Sequence, residues 1–201
     1  MLKESCRIEI FADKLRGRSE ESTRNAQENS SALPQQELTA DAVSRLAESI
    51  AKENGLWIDF CNISSLGTPL PSGVENDVYL SANGNFVYKV NNLMTSRSII
   101  RLFDRLILHN TIFPQTAYEL QGFTGFGNGS IYPVLRQNFI IYDREATPIE
   151  IDTYMSALGF EKVEKAKYIK DKVEVSDLHP RNVLKDVDGD LFVVDAEFRQ
   201  M

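Results

Sequence analysis

Asp177, Asn182 and Asp195 are the residues whose types and spacing could do chemistry together. Asn182 stands five positions after Asp177 in Ser176-Asp177-Leu178-His179-Pro180-Arg181-Asn182, and Asp195 thirteen after Asn182 in Val193-Val194-Asp195-Ala196-Glu197-Phe198. Two carboxylates and an amide oxygen can hold a hard divalent cation and leave one carboxylate to accept or orient a hydroxyl. Asp-x4-Asn alone is common by chance, and an aspartate before a Leu-His-Pro turn is often only a cap. A rival reading takes Asp186, Asp188, Asp190 and Glu197 as positions 1, 3, 5 and 12 of a calcium loop. Leu191 stands at position 6, where such a loop needs glycine, and strand-like sequence follows it. Lys89 is a lysine in an otherwise apolar run, Phe86-Val87-Tyr88-Lys89-Val90, and a charge so placed wants a partner.

These residues must be positioned by hairpins. Asn83-Gly84 between Val78-Tyr79-Leu80 and Phe86–Val90 predicts a two-residue type I′ turn, with both central residues at positive φ. Asp188-Gly189 between Val183-Leu184 and Leu191–Val194 predicts a second hairpin, which would return Asn182 and Asp195 to the same end of their strands. Trp57–Ile63 reads as a strand with Cys61 as a small core residue, 96–113 as a helix stopped by Pro114, and Tyr118–Phe123 and Ser130–Leu135 as two further strands. Thr147-Pro148-Ile149-Glu150 is a capping box opening a helix that stops at Gly159, with strands expected over Val163–Ile169 and Val173–Val175. Strand, hairpin, helix and two strands describe an antiparallel sheet carrying one helix, an α+β pattern.

The segment from Asp177 to Asp195 resembles the protein-kinase-like superfamily, whose catalytic loop has an Asp, an Asn five residues on, and a metal-binding Asp after a short hairpin. The resemblance implies a base role for Asp177, a metal role for Asn182 and Asp195 toward Mg²⁺ (or Mn²⁺), and a phosphate-positioning role for Lys89, with ATP as nucleotide. Setting the valine of the glycine-rich loop on Val78 puts its three glycines at Pro71, Gly73 and Asn76, so only the middle one survives. Gly73 is then either a close backbone approach to phosphate or an ordinary turn glycine. Gln137 falls where an adenine-binding hinge would lie. Asp104 is the only carboxylate between Asn91 and Tyr118, and is the candidate partner of Lys89 or else a solvent-facing charge. His179 matches a histidine of small-molecule kinases; it could touch transferred phosphate or pack in its turn. Val175-Ser176-Asp177 replaces His-Arg-Asp, losing the arginine that reads activation-loop phosphorylation, and Asp195-Ala196-Glu197 replaces Asp-Phe-Gly, losing the small hinge residue. The Gly-x-x-Asn loop, Tyr-Lys-Val strand, capped Glu-Ile helix and Asp-Leu-His-Pro-Arg-Asn are most similar to the kinase-like domain of bacterial and phage polyvalent proteins.

The implied organisation is an N-terminal segment over 1–37 whose polar stretch from Lys14 to Gln36 is a flexible arm, and an amphipathic helix over 38–55 that packs internally or serves partner binding or self-association. An N-lobe-like sheet with one helix would occupy 56–137, and a reduced C-lobe 138–201. Only six residues follow Asp195, so the expectation is a minimal kinase, or a fragment or descendant that keeps the nucleotide site. The 201 residues are 42% hydrophobic and carry a net charge of −7, which argues against a broad nucleic-acid or anionic-membrane footprint. No run approaches the roughly 18 to 20 apolar residues of a membrane span, and two cysteines make neither a disulfide framework nor a zinc pattern; a cytoplasmic protein is expected. The phosphate acceptor, a protein hydroxyl or a small molecule, is left open. So are two rivals to catalysis, a nucleotide-binding pseudokinase and a partner-binding module.

Overall fold

The computed structural model describes residues 6–28, 39–127 and 129–201. They form two compact units: the described residues up to Asp104 with Tyr118–Gln137, and Arg105–Ala117 with Asn138–Met201. Helices and antiparallel strands make the chain α+β. Among the described residues no helix is long and apolar enough to cross a membrane.

The first unit begins with a correction. Helix α1 (Cys6–Glu28) takes in the first half of the expected flexible arm. Ile8, Phe11, Ala12 and Leu15 recur at helical spacing and are buried. The Phe11 ring lies 4.5 Å from that of Phe123 and 5.9 Å from that of Phe103. That anchored stretch supplies the costly nucleus, and each further residue extends an existing helix, so even polar sequence follows. Arg18 pairs with Glu53 at 2.8 Å, and Lys14 donates to Asn54 at 2.8 Å. Residues 29–36 of the expected arm, with Glu37 and Leu38, lie outside the described residues.

Helix α2 (Ala40–Glu53) starts at Thr39, whose hydroxyl accepts from the Ala42 amide at 3.3 Å, and stops at Asn54. Its buried residues Ala47, Ile50 and Ala51 are covered from within the unit, where α2 meets α1, rather than presented to a partner. The strand expected over 57–63 does not form. Trp57 makes one parallel bridge to Phe123, and a 3₁₀ stretch, Phe60–Leu66, follows. There the Asp59 carbonyl accepts from the Asn62 amide at 2.8 Å and Ser65 donates to the Asn62 carbonyl at 2.6 Å, local bonds that compete with a ladder. Cys61 is therefore exposed rather than a core residue.

The sheet of this unit has five strands in the order β1 (Thr68–Pro69), β2 (Asn76–Leu80), β3 (Phe86–Asn91), β5 (Ile131–Asn138), β4 (Glu119–Gly125). The β2–β3 hairpin forms with Val78 opposite Lys89, but its loop is longer than a two-residue turn. Gly84 alone takes the left-handed region (φ 71°); Asn83 stays out of it and accepts from the Ser81 hydroxyl at 2.8 Å and the Asn85 amide at 3.0 Å. Gly125 marks the closest backbone approach in β4, since a Cβ there would lie 1.8 Å from the Ser130 carbonyl oxygen.

Helix α3 (Ile99–Ile112) contributes its first residues to this unit and the rest to the second. In the second unit a 3₁₀ turn, Pro114–Thr116, follows α3. β6 (Arg144–Glu145) precedes α4 (Pro148–Ala157), which opens with the expected capping box in full: Thr147 accepts from the Glu150 amide and Glu150 from the Thr147 amide. The single strand expected over 163–169 is instead a hairpin, β7 (Glu161–Glu164) and β8 (Lys167–Lys170), turned at Ala166 with φ 56°. β9 (Val173–Ser176), β10 (Val183–Lys185), β11 (Leu191–Val193) and an unforeseen β12 (Glu197–Gln200) complete two antiparallel sheets, ordered β12-β9-β8-β7 and β11-β10-β6. Phe113, Ile151, Met155, Tyr168, Val175, Leu178 and Val193 form its core.

Glu150 also receives Arg144 at 2.7 Å and Lys185 at 2.6 Å; these bonds, Arg144 first, then Lys185 and the Thr147 amide, hold its carboxyl well below the usual carboxylate range. A carboxyl lowered by folding stabilises the protein fully above its unfolded value of 4.5, and the contribution fades as pH falls below that value toward the folded one. Glu150→Gln keeps the cap but not the charge. Its melting temperature should lie below wild type at pH 7 and approach it in melts taken at pH 4 and 3; a gap that stays constant over that range would refute the linkage. Gly125→Ala should lose about 1–3 kcal/mol of stability in urea titrations, and wild-type stability would contradict the close approach to Ser130.

Candidate active site

The second unit assembles the Asp177 loop from β9 outward. Val175 is buried in the core, and the chain leaves β9 into Asp177 at φ 62°, a left-handed conformation that aspartate tolerates better than most residues. Leu178, 2% exposed, anchors the next position. The loop then closes on itself: the Asp177 carbonyl accepts from the His179 amide at 2.9 Å, and the His179 carbonyl from the Asn182 amide at 2.9 Å. The Asn182 side-chain amide donates both to the Asp177 carbonyl at 2.9 Å and to its Oδ2 at 3.0 Å. His179 Nε2 stands 3.5 Å from Asp177 Oδ1, while its Nδ1 is buried without a hydrogen-bond partner. The Asp177 side chain is 53% exposed.

Two ladders bring Asp195 to this loop. β10 and β11 pair Val183 with Val193, and the Val194 amide extends the ladder to the Asn182 carbonyl at 2.9 Å, so Asp195 follows directly beside Asn182. β12 pairs with β9, Glu197 opposite Ser176, so Asp177 leaves β9 at the end where Asp195 leads into β12. Among the described residues no hydrogen bond or ion pair engages the Asp195 carboxylate, and Asn182 Oδ1 likewise accepts none. The donor set is hard oxygen, the kind Mg²⁺ or Mn²⁺ takes.

The calcium reading loses its ligands. Asp186 Oδ1 accepts from the Asp188 amide at 3.0 Å and the Asp190 amide at 2.8 Å, tying the turn, and Glu197 lies in β12 ion-paired with Arg105. Among the described residues no group of three His, Cys, Asp or Glu could hold a metal.

The remaining candidates belong to the first unit. Lys89 Nζ donates to the Tyr118 hydroxyl at 3.0 Å and lies 4.9 Å from the centre of its ring. Asp104 is not its partner, because the Asp104 carboxylate pairs with Arg16 of α1. Gly73 is exposed, and a Cβ there would meet no atom within 4 Å, so nothing in the chain itself demands glycine. Its loop is closed onto Val78, whose amide donates to the Ser72 hydroxyl at 3.0 Å and whose carbonyl accepts from the Leu70 amide at 2.9 Å. Asn76 accepts from the buried Asn91 amide at 2.9 Å, a structural bond that also draws in Glu75 at 3.2 Å. Gln137 is 2% exposed at the end of the unit.

Sequence reasoning missed Tyr118, Asn91, Thr116 and the Arg105–Glu197 pair. For Arg105 a signal existed: it flanks the apolar face of α3, three residues after Leu102 and one before Leu106, where a charge must find a partner. No curated protein and no solved structure matches the chain. Residues 41–201, from the start of α2 to the last residue, match the family described as serine/threonine/tyrosine kinase found in polyvalent proteins (Kinase-PolyVal), and the chain belongs to that family.

Proposed function

We propose that this chain is an ATP-dependent phosphotransferase on a kinase-like fold, moving the γ-phosphate to a protein or small-molecule hydroxyl. The family supports a kinase-like activity. The observation that carries the reading is the convergence of Asp177, Asn182 and Asp195 at one end of the β9–β12 and β10–β11 ladders. Asp177 orients the acceptor hydroxyl and takes its proton; the Asn182 amide holds one carboxylate oxygen, leaving the other to face the acceptor. Asn182 Oδ1 and the Asp195 carboxylate are the groups that would hold Mg²⁺ or Mn²⁺, which when bound offsets the charge of the phosphates. Lys89, with Tyr118 steadying its ammonium, supplies positive charge to the phosphates. The loop of Gly73, Asn76 and Val78 supplies backbone contact to the nucleotide, and the segment at Gln137 contacts its base.

A second reading, a pseudokinase that binds nucleotide without turnover, is favoured by the pairing of Asp104, the one acid in the α3 sequence, with Arg16. Labelled γ-phosphate transfer, to the chain itself and to a panel of hydroxyl acceptors, separates the two. Wild type should transfer and Asp195→Ala should fall to background, with Asp177→Asn down by about 100- to 10,000-fold. Equal activity of wild type and Asp195→Ala would overturn the catalytic assignment. A rise in melting temperature with ATP and Mg²⁺ but no turnover would favour the pseudokinase, and no rise at millimolar ATP would favour a partner-binding module.

A further inference from the structure

Among the described residues no hydrogen bond or ion pair engages the Asp195 carboxylate, yet the backbone on either side of it is held. The segment that carries it is gripped on both sides by side chains from 105–117 of the same unit. Arg105 of α3, 8% exposed, donates Nη1 to Glu197 Oε1, two residues after Asp195. Thr116, 1% exposed, donates its hydroxyl to the Val193 carbonyl at 2.5 Å, two residues before it. His109, one turn along α3 from Arg105, ties the two grips together. Its Nε2 lies 3.1 Å from the Thr116 carbonyl oxygen and 3.2 Å from its hydroxyl, and its ring meets that of Phe198 edge-on at 5.8 Å.

The placement of the cation is informative. An arginine bonded to Asp195 itself would hold the carboxylate but compete with a metal for its charge. Bonded two residues away, it restrains the backbone and leaves the charge of the Asp195 carboxylate for a metal that would bind there. The guanidinium is buried and costly to desolvate, while the Glu197 side chain is 38% exposed, and a partly solvated ion pair adds little net stability, so stability is a poor reason for it. Groups behind a ligand that fix its orientation are worth about 10- to 100-fold in metal affinity.

We infer that Arg105, Glu197 and Thr116 are positioning residues that set how Asp195 presents its carboxylate to metal-bound nucleotide, an inference that rests on the phosphoryl-transfer reading. The test uses the full chain, with a non-hydrolysable ATP analogue at saturation, and reads Mn²⁺ affinity from the paramagnetic resonance of free Mn²⁺. Glu197→Gln, Glu197→Asp and Arg105→Met should each weaken Mn²⁺ about 10- to 100-fold, and the swapped pair Arg105→Glu with Glu197→Arg should recover part of the loss. Thr116→Val should weaken Mn²⁺ and Thr116→Ser should not. This pair serves if the ion-pair variants unfold, because it alters one hydroxyl at nearly constant volume. Mn²⁺ affinity within twofold of wild type in the Glu197 and Thr116→Val variants, with Asp195→Ala abolishing it, would overturn the positioning role and leave the phosphoryl-transfer reading standing. Wild-type Mn²⁺ affinity in Asp195→Ala would take both down together.

Discussion

The candidate site depends on β12 lying antiparallel on β9. Because Glu197 is paired with Ser176, the chain leaving β9 and the chain entering β12 occupy the same end of one ladder. Asp177 and Asp195 are brought together by that register, and the β10–β11 ladder, extended to Asn182 and Val194, adds the amide. No single ladder bond is strong, since each contributes about 1 kcal/mol net. Register is nevertheless close to all-or-none, because a slip of one residue turns every side chain to the opposite face. With Val175 and Val193 buried in the core, such a slip would expose them and, in β9, bury Glu174 and Ser176. Accuracy at the site thus comes from the core through the register, and loop contacts only refine it.

Carboxylates in this unit divide by use. Asp186 ties a turn through two backbone amides, Glu150 caps α4 and gathers Arg144 and Lys185, and Asp152 takes Lys162 and the Tyr168 hydroxyl. Each is a charge satisfied by protein donors. Asp177 is partly satisfied, with Asn182 on Oδ2, His179 Nε2 3.5 Å from Oδ1 and the side chain half exposed, and Asp195 has no such donor among the described residues. This gradient is the electrostatic counterpart of the proposed roles: a structural carboxylate needs its charge neutralised, whereas one that meets a metal must keep it.

What was legible in the sequence follows from range. The Thr147–Glu150 capping box and the Asp188-Gly189 hairpin are local, written in a few adjacent residues, and both form. The Asp177–Asn182 contact is also local and could be anticipated from spacing. Errors arise where a distant partner or a competing local bond decides. Polar residues beyond Leu15 are helical because Ile8 to Leu15 anchor the helix on Phe103 and Phe123. Residues 57–63 look like a strand by apolar content, yet Asp59, Asn62 and Ser65 curl the backbone instead. β12 carries little hydrophobic signal of its own, since Arg199 and Gln200 are exposed, and it exists because β9 offers an edge.

The partner sought for α3 was also of the wrong sign. A kinase-like pattern prompts a search for an acid on the helix to meet the strand lysine, and Asp104, the only one there, turns to Arg16. The helix residue that reaches toward the Asp195 segment is a cation, Arg105, and it meets an acid that stands where the protein-kinase pattern has a small hinge residue. A glycine at that place would leave the backbone free to swing, because it adopts conformations closed to other residues. Glu197, held in a strand and bonded to a buried guanidinium, removes that freedom. The loss of the arginine from His-Arg-Asp removes the reader of an activation signal as well. For a chain that transfers phosphate, both departures point the same way: the backbone that carries Asp195 is held by contacts made within the second unit.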